Sequence, residues 1–308
     1  MSNISKLIAE KTGYPDLLND LIEKLSGSEL NTLLLELFRK KAGKITPAAV
    51  LKQFRANRFV APSVVDPISF RELEIRYLKL AEKKGFKLVT LSPLTCLGTC
   101  SAMGFVDQNN VVSALRGTEV VSDATNVFAI LIADEFKKQK KNSVLKYATA
   151  QRHVRSQFIT APGLTPHFSI FCMATGGVDT GGFTFEVDNL LDHIHLHFLL
   201  FSEDFGSDQL ILKIFLKDDN EIFHSKLEGI LQGLKGSLKI DIEKQPVAGD
   251  YYKLIRFRFF VEHRQRQVNL SDGGFVDWTQ KLISNRKHRL IISGIGTELI
   301  HKLKSGQL

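Results

Sequence analysis

The stretch from Lys146 to Asp179 constrains this chain most, because it carries two runs rich in β-branched and aromatic residues, over 152–160 and 167–174, around a short Ala-Pro-Gly-Leu-Thr-Pro turn. That pattern predicts an antiparallel hairpin with a polar tip. On its first arm, strand alternation puts Arg155 and Gln157 on one face and Val154 and Phe158 on the other. One face can then meet an anion while the other packs. A phosphate cradle and an ordinary surface arginine both satisfy that arrangement.

The chain around the hairpin sets the fold class. Residues 3 to 56 read as helices, with Ser28 as the cap of SELNTLLLELFRKKAG, Gly43 as its end, and Thr46-Pro47 opening another. Leu33, Leu34, Leu35 and Leu37 are too many for one exposed stripe, so this unit is expected to pack against itself or the main body. The segment 57–67 has two prolines and no helical period, which places a boundary between a helical unit at 1–58 and a core domain at 59–308. A helix follows with Leu73, Tyr77 and Leu80 on one face, closed by Gly85, then a strand over 86–94 stopped by Pro93. Residues 96–103 form a small-residue loop, and a strand is expected over 111–115. Asp123 or Thr125 caps a helix whose Val127, Ile130, Leu131 and Phe136 recur at helical spacing. Beyond the hairpin come a helix over 186–201, strands over 210–216, 238–242 and 255–261, and a helix over 227–234. Gly273-Gly274 breaks the chain before a helix over 278–283, and HRLIISGIG is a strand leading to the helix TELIHKLK. Strands in meander order with interspersed helices give an α+β fold on an antiparallel sheet flanked by helices.

Composition matters mainly for partners. A net charge of +8 permits a nucleic acid or another polyanion, but the basic residues lie in short clusters, and a solvated basic surface fits as well. No apolar run reaches the length of a membrane span and the first residues lack a signal peptide's apolar region, so a cytoplasmic location and no membrane partner are expected. The three cysteines, Cys96, Cys100 and Cys172, form no C-x-x-C pair and read as small buried thiols.

In order, these segments resemble the catalytic core of class II aminoacyl-tRNA synthetases. The likeness is to the histidyl branch, which includes the non-aminoacylating regulatory subunit of ATP phosphoribosyltransferase. The helix with Gly85-Phe86 and LVTLSPL resembles motif 1, whose proline, here Pro93, lies at the family's dimer interface. RHVRSQF and PHFSIF resemble motif 2, SALRGTEVVSDATN the substrate strand and turn, Gly249 to Tyr252 the Asp-Tyr-Tyr segment, GGFVDWTQKL the Gly-Gly-Arg-Tyr-Asp segment, and SGIGTELI motif 3. The resemblance implies ATP with magnesium as cofactors. It makes Arg155 the α-phosphate arginine and Phe168 the ring that stacks on adenine, with Gln157 and Glu298 beside the nucleotide. It also implies amino-acid binding by Arg116, Glu119, Thr125, Tyr251 and Tyr252, and a homodimer through the segment from Ser69 to Leu94.

The sequence departs from that pattern at cationic positions. Glu298 is followed by Leu299 where active synthetases place the γ-phosphate arginine, and Val247-Ala248 stand where the histidyl enzymes place a substrate-activating one. Ile170 and Ala174 replace the polar residues that hold the amino acid. Adenylate formation depends on cation clamps, each worth ~3 kcal/mol or more of transition-state stabilisation. The expected role is therefore a non-aminoacylating binding or regulatory paralogue, with a protein partner among its expected ligands. An amino-acid-activating ligase and a nucleic-acid module, with tRNA among its ligands, are the alternatives.

Three other patterns have ordinary explanations. His193 and His197 share a helix face from which His195 points away, against a metal site. Gly176 to Gly182 follows no phosphate-loop pattern and reads as a tight connection. Glu119 and Asp123 could form an acid/base pair, or could cap helices.

Overall fold

The computed structural model describes residues 3–138, 143–157, 165–217, 220–234, 236, 238–244 and 251–308. Four helices open the chain: α1 (Asn3–Thr12), α2 (Leu17–Glu23), α3 (Gly27–Ala42) and α4 (Pro47–Ala56). Thr46 caps α4 with Pro47 in its first turn, as its sequence requires. The cap of α3 is Ser26 rather than Ser28, because Ser26 and Glu29 form a reciprocal capping box. The leucines of α3 do not find the partner their number demands. No described residue of α1–α4 is buried, and Leu33 and Leu37 remain 37% and 49% exposed.

Helix α5 (Pro67–Lys83) begins at Asp66, whose carboxylate accepts from the Ser69 amide, and buries Phe70, Leu73, Tyr77 and Ala81. The strand expected over 86–94 is split into β1 (Lys87–Leu88) and β2 (Leu94–Cys96), which join different sheets. The expected loop after it contains a helix, α6 (Thr99–Gly104). Strands β3 (Ser113–Ala114) and β4 (Thr118–Val120) form a small sheet with β2. Helix α7 (Ala124–Lys138) buries Phe128, Ala129, Ile132 and Ala133, a stripe one residue round from the expected one. Val127, Ile130, Leu131 and Phe136 pack only at its margin.

The central hairpin is β5 (Leu145–Val154) and β6 (His167–Val178), paired antiparallel from Leu145 with Gly176 to Val154 with His167. Its first arm therefore lies earlier than the expected 152–160, and Arg155 sits one residue past the strand, its amide donating to the Pro166 carbonyl at 2.8 Å. The turn expected at its tip falls largely outside the described residues, as does Phe158. There follow α8 (Thr184–Phe205), β7 (Leu210–Leu216), α9 (Glu221–Gln232), β8 (Lys239–Glu243), β9 (Lys253–His263), β10 (Arg266–Val276), α10 (Trp278–Ile283), β11 (His288–Ile295) and α11 (Thr297–Lys304).

Among the described residues the large sheet runs β1-β5-β6-β11-β10-β9-β7-β8. The six strands from β5 to β7 are all antiparallel to their neighbours, and the short edge strands β1 and β8 pair parallel. Gly273 and Gly274 do not break the chain; they lie inside β10 because its neighbours approach too closely for a side chain. A Cβ at Gly273 would stand 2.5 Å from the Phe257 ring, and one at Gly274 would stand 2.4 Å from the Ile255 carbonyl oxygen. One face of the sheet is covered by α5, α8, α9 and α11 over a large apolar core. The other carries α7 and α10 over a smaller core centred on Phe128, Trp278 and Ile292, and leaves part of the sheet open as a cleft.

Candidate functional site

The open part of the sheet is the floor of a cleft of about 400 Å³. Strand register puts Cys172 of β6, Gly294 of β11 and Asp272 of β10 in one row across that floor. Gly294 keeps its centre clear, because a Cβ there would press on Ile170 at 3.2 Å. The walls come from Gly104, the start of α7, the end of β5 and the Tyr251-Tyr252 segment.

Of the residues expected at a site, Thr125, Arg155, Gln157, Tyr251 and Tyr252 line this cleft. Arg155 donates from Nε to the Ser122 carbonyl at 3.0 Å, and its guanidinium lies 5.3 Å from the Phe168 ring centre. Its two Nη groups make no hydrogen bond among the described residues. Asp123 organises the adjoining wall: Oδ1 accepts from the Thr125 amide and hydroxyl at 2.9 and 2.6 Å, and Oδ2 accepts from the Tyr251 hydroxyl at 3.2 Å. Burial first, and the Asp123 charge second, push the Tyr251 phenol well above its ordinary pKa, so it stays a donor. His153 accepts from the Ala124 amide at 2.8 Å, and burial lowers its pKa to about 4, keeping it a neutral acceptor.

Arg116, Glu119 and Glu298 do not line the cleft. Arg116 sits in the exposed β3–β4 turn at φ +66°, where its amide donates to the Asn31 side chain of α3. Glu119, 1% exposed, accepts from the amides of Gly98 and Cys100 at 2.8 and 3.0 Å and from Gln108 at 3.0 Å. It holds the start of α6. Glu298, 2% exposed, belongs to the helix-covered side. It accepts from Ser63 at 2.7 Å and meets Lys302 at 3.1 Å and Arg152 at 3.3 Å. Burial raises its pKa, but Ser63, Lys302 and Arg152 together hold it below the ordinary carboxylate value.

The sequence reading missed Arg256 and Asp272, which line the cleft as an ion pair: Arg256 Nε donates to Asp272 at 2.8 Å and Nη2 makes a second bond to the same carboxylate. Their signal was the alternation of Arg256 and Arg258 with Phe257 and Phe259 along β9. Asn126 was missed too; its side-chain nitrogen is buried at the wall without a hydrogen bond among the described residues.

The histidines of α8 behave as a buried structural pair. His193 bonds Thr175 and Ser293 at 2.9 and 2.8 Å, His197 bonds Ser271 at 3.1 Å, and burial lowers both pKa values, that of His197 to about 3. No group of three metal-ligating side chains occurs among the described residues. Cys100 and Cys172 are buried as expected, whereas Cys96 is exposed, at the end of β2.

Neither a family model nor a curated protein matches the sequence. The fold, however, is that of the class II aminoacyl-tRNA synthetase core. The histidyl-tRNA synthetase of S. aureus superposes with a TM-score of 0.60 at 14% identity, covering 80% of this chain and 70% of that one. An ATP phosphoribosyltransferase regulatory subunit/histidyl-tRNA synthetase from Bacillus halodurans gives 0.60 at 12%, covering 79% and 82%. A putative threonyl-tRNA synthetase from Aeropyrum pernix gives 0.59 at 13%, covering 77% and 60%. The chain is thus histidyl-tRNA synthetase-like in fold. Among the described residues, no helix is long and apolar enough to cross a membrane.

Proposed function

We propose that this chain is a binding or regulatory paralogue of the histidyl-type class II synthetases, one that does not activate an amino acid. The observation that carries the reading is Leu299. It stands where the resemblance calls for the γ-phosphate arginine, and it packs against the apolar core. The two basic side chains beside Glu298, Arg152 and Lys302, are engaged by that carboxylate, and neither lines the cleft.

The residues present fit part of the implied cofactor. Arg155 has Nη donors that no described residue accepts from, beside an aromatic ring, which suits a nucleotide phosphate. They do not fit magnesium: Glu298 is elsewhere, Asp123 is occupied by Thr125 and Tyr251, and Asp272 is occupied by Arg256. The cleft is therefore a small-molecule site without the clamp for phosphoryl chemistry. ATP–pyrophosphate exchange with a mixture of amino acids is expected to show no turnover; clear exchange would replace this reading with an adenylate-forming ligase.

The same reading includes a homodimer through the segment from Ser69 to Leu94, supported by the exposure of Ile75, Leu88 and Leu94 in the single chain. Light scattering on the eluting full chain is expected to give twice the 34.6 kDa chain mass, and a monomer at micromolar concentration would remove the dimer.

A further inference from the structure

Two arginines line the cleft, Arg155 from just past β5 and Arg256 from β9. Arg155 stacks over Phe168 at one end. Arg256 lies in the row formed with Gly274, Ile292 and Ala174. Ala174 is six residues along β6 from Phe168, and Arg256 is three strands over from β6. At ordinary strand spacings that separates the backbones of Phe168 and Arg256 by about 20 Å along the strands and about 14 Å across them. Nothing in an arginine's charge alone tells the two ends apart; their settings do.

At the far end Arg256 is fixed in place. Asp272 holds it through Nε and Nη2, the Tyr252 ring centre lies 5.4 Å from its guanidinium, and β9 is a central strand. The charge there is not neutralised. Arg258, opposite Asp272 across the strands, approaches the same carboxylate at 3.4 Å, so one carboxylate serves two guanidinium groups. Lys213 stands next in the same row, opposite Arg258, with Asp241 beyond it. Arg256 Nη1 makes no hydrogen bond among the described residues. A cation held by Asp272, with an Nη1 that no described residue accepts from, beside a floor that includes Cys172, Ile292 and Gly294, is suited to an anionic group of a ligand.

We propose that Arg256 is the specificity-determining residue of this cleft, and that it takes the side-chain carboxylate of an acidic amino acid at the end remote from Arg155. The inference rests on the cleft being the amino-acid and nucleotide site of the reading above, and it goes further by naming the amino-acid class. Asp272 positions Arg256 and sets a limit: it repels a carboxylate that approaches without meeting the guanidinium, which favours a ligand presenting its anion to Nη1.

The test is calorimetric titration of the full natural chain with glutamate, glutamine, aspartate, asparagine and histidine, each with and without ATP. Glutamate or aspartate is expected to bind about tenfold or more tightly than its amide, the usual scale of a charge-assisted bond. Arg256→Gln is expected to abolish that ratio and Arg256→Lys to restore part of it, the comparison being acid against amide within each variant. The natural chain alone decides the matter if a variant fails to fold. Equal binding of acid and amide, or preference for histidine or an amide, would overturn the inference and leave the nucleotide reading standing. Absence of binding by ATP and by every amino acid would overturn both.

Discussion

The two faces of the sheet hold similar ionisable side chains and use them in opposite ways. On the helix-covered face, Glu74 accepts from Arg71, Ser169 and Thr297, and Glu298 meets Ser63, Lys302 and Arg152. His193 and His197 are hydrogen-bonded in the core between α8 and the sheet. On the cleft face, Arg155, Arg256 and Asn126 keep donors that no described residue accepts from. Charges on the covered face serve the fold, because a buried charge without a partner is costly. Those on the open face are held in place by neighbours yet keep donors that no described residue takes up. The difference separates residues that would be missed in a stability assay from residues that would be missed only in a binding assay.

The sharpest way to break that comparison is Glu298→Ala. It removes the buried carboxylate that Lys302, itself buried, and the more exposed Arg152 both approach, and is expected to cost about 3–5 kcal/mol in denaturant unfolding; a cost below about 1 kcal/mol would mean that the cluster does not hold the covered face. Acid comes next. His193 and His197 have folded pKa values below the ordinary 6.5, with His153 on the cleft face adding in the same direction. The unfolded chain therefore binds more protons below that value. The stability is fully present above pH 6.5 and is lost as pH falls toward about 4, seen as a steady drop in melting temperature. A flat profile between pH 7 and 5 would contradict the neutral buried state. Ser63→Ala removes one donor to Glu298 and is expected to cost about 1–2 kcal/mol. Smallest in stability is Arg155→Ala, within about 0.5 kcal/mol of the natural chain, although it should weaken any nucleotide-induced thermal shift; an unchanged shift would take Arg155 out of the site.

Much of the fold could be read from residue order, and the reasons for the exceptions are physical. Strand β7 and helix α10 lie over the residues expected, because polar residues bound them: Ser207–Gln209 before β7, and Asp277 and Ser284 at the ends of α10. The register of β5 was misplaced because Tyr147, Ala148 and Thr149 carry no strong alternation: consecutive residues there are buried between α7 and the covered face. Gly273-Gly274 reads locally as a breaker, yet the space beside Phe257 and Ile255 is what excludes a side chain, and only the assembled sheet shows it. At the cleft, Arg155 and the tyrosines were visible through the resemblance. Arg256 and Asp272 were not, since their pairing depends on the register of β9 against β10.

One contact outside both faces has a mechanical consequence. Arg58, just past α4, donates to the carbonyl oxygens of Ser156 and Gln157, the two residues that follow Arg155. His167, at the return of the hairpin, bonds the Ala61 carbonyl at 2.6 Å. A pull on the opening helices is thus delivered to the peptide groups next to the cleft's arginine, a tether that any molecule gripping those helices would load.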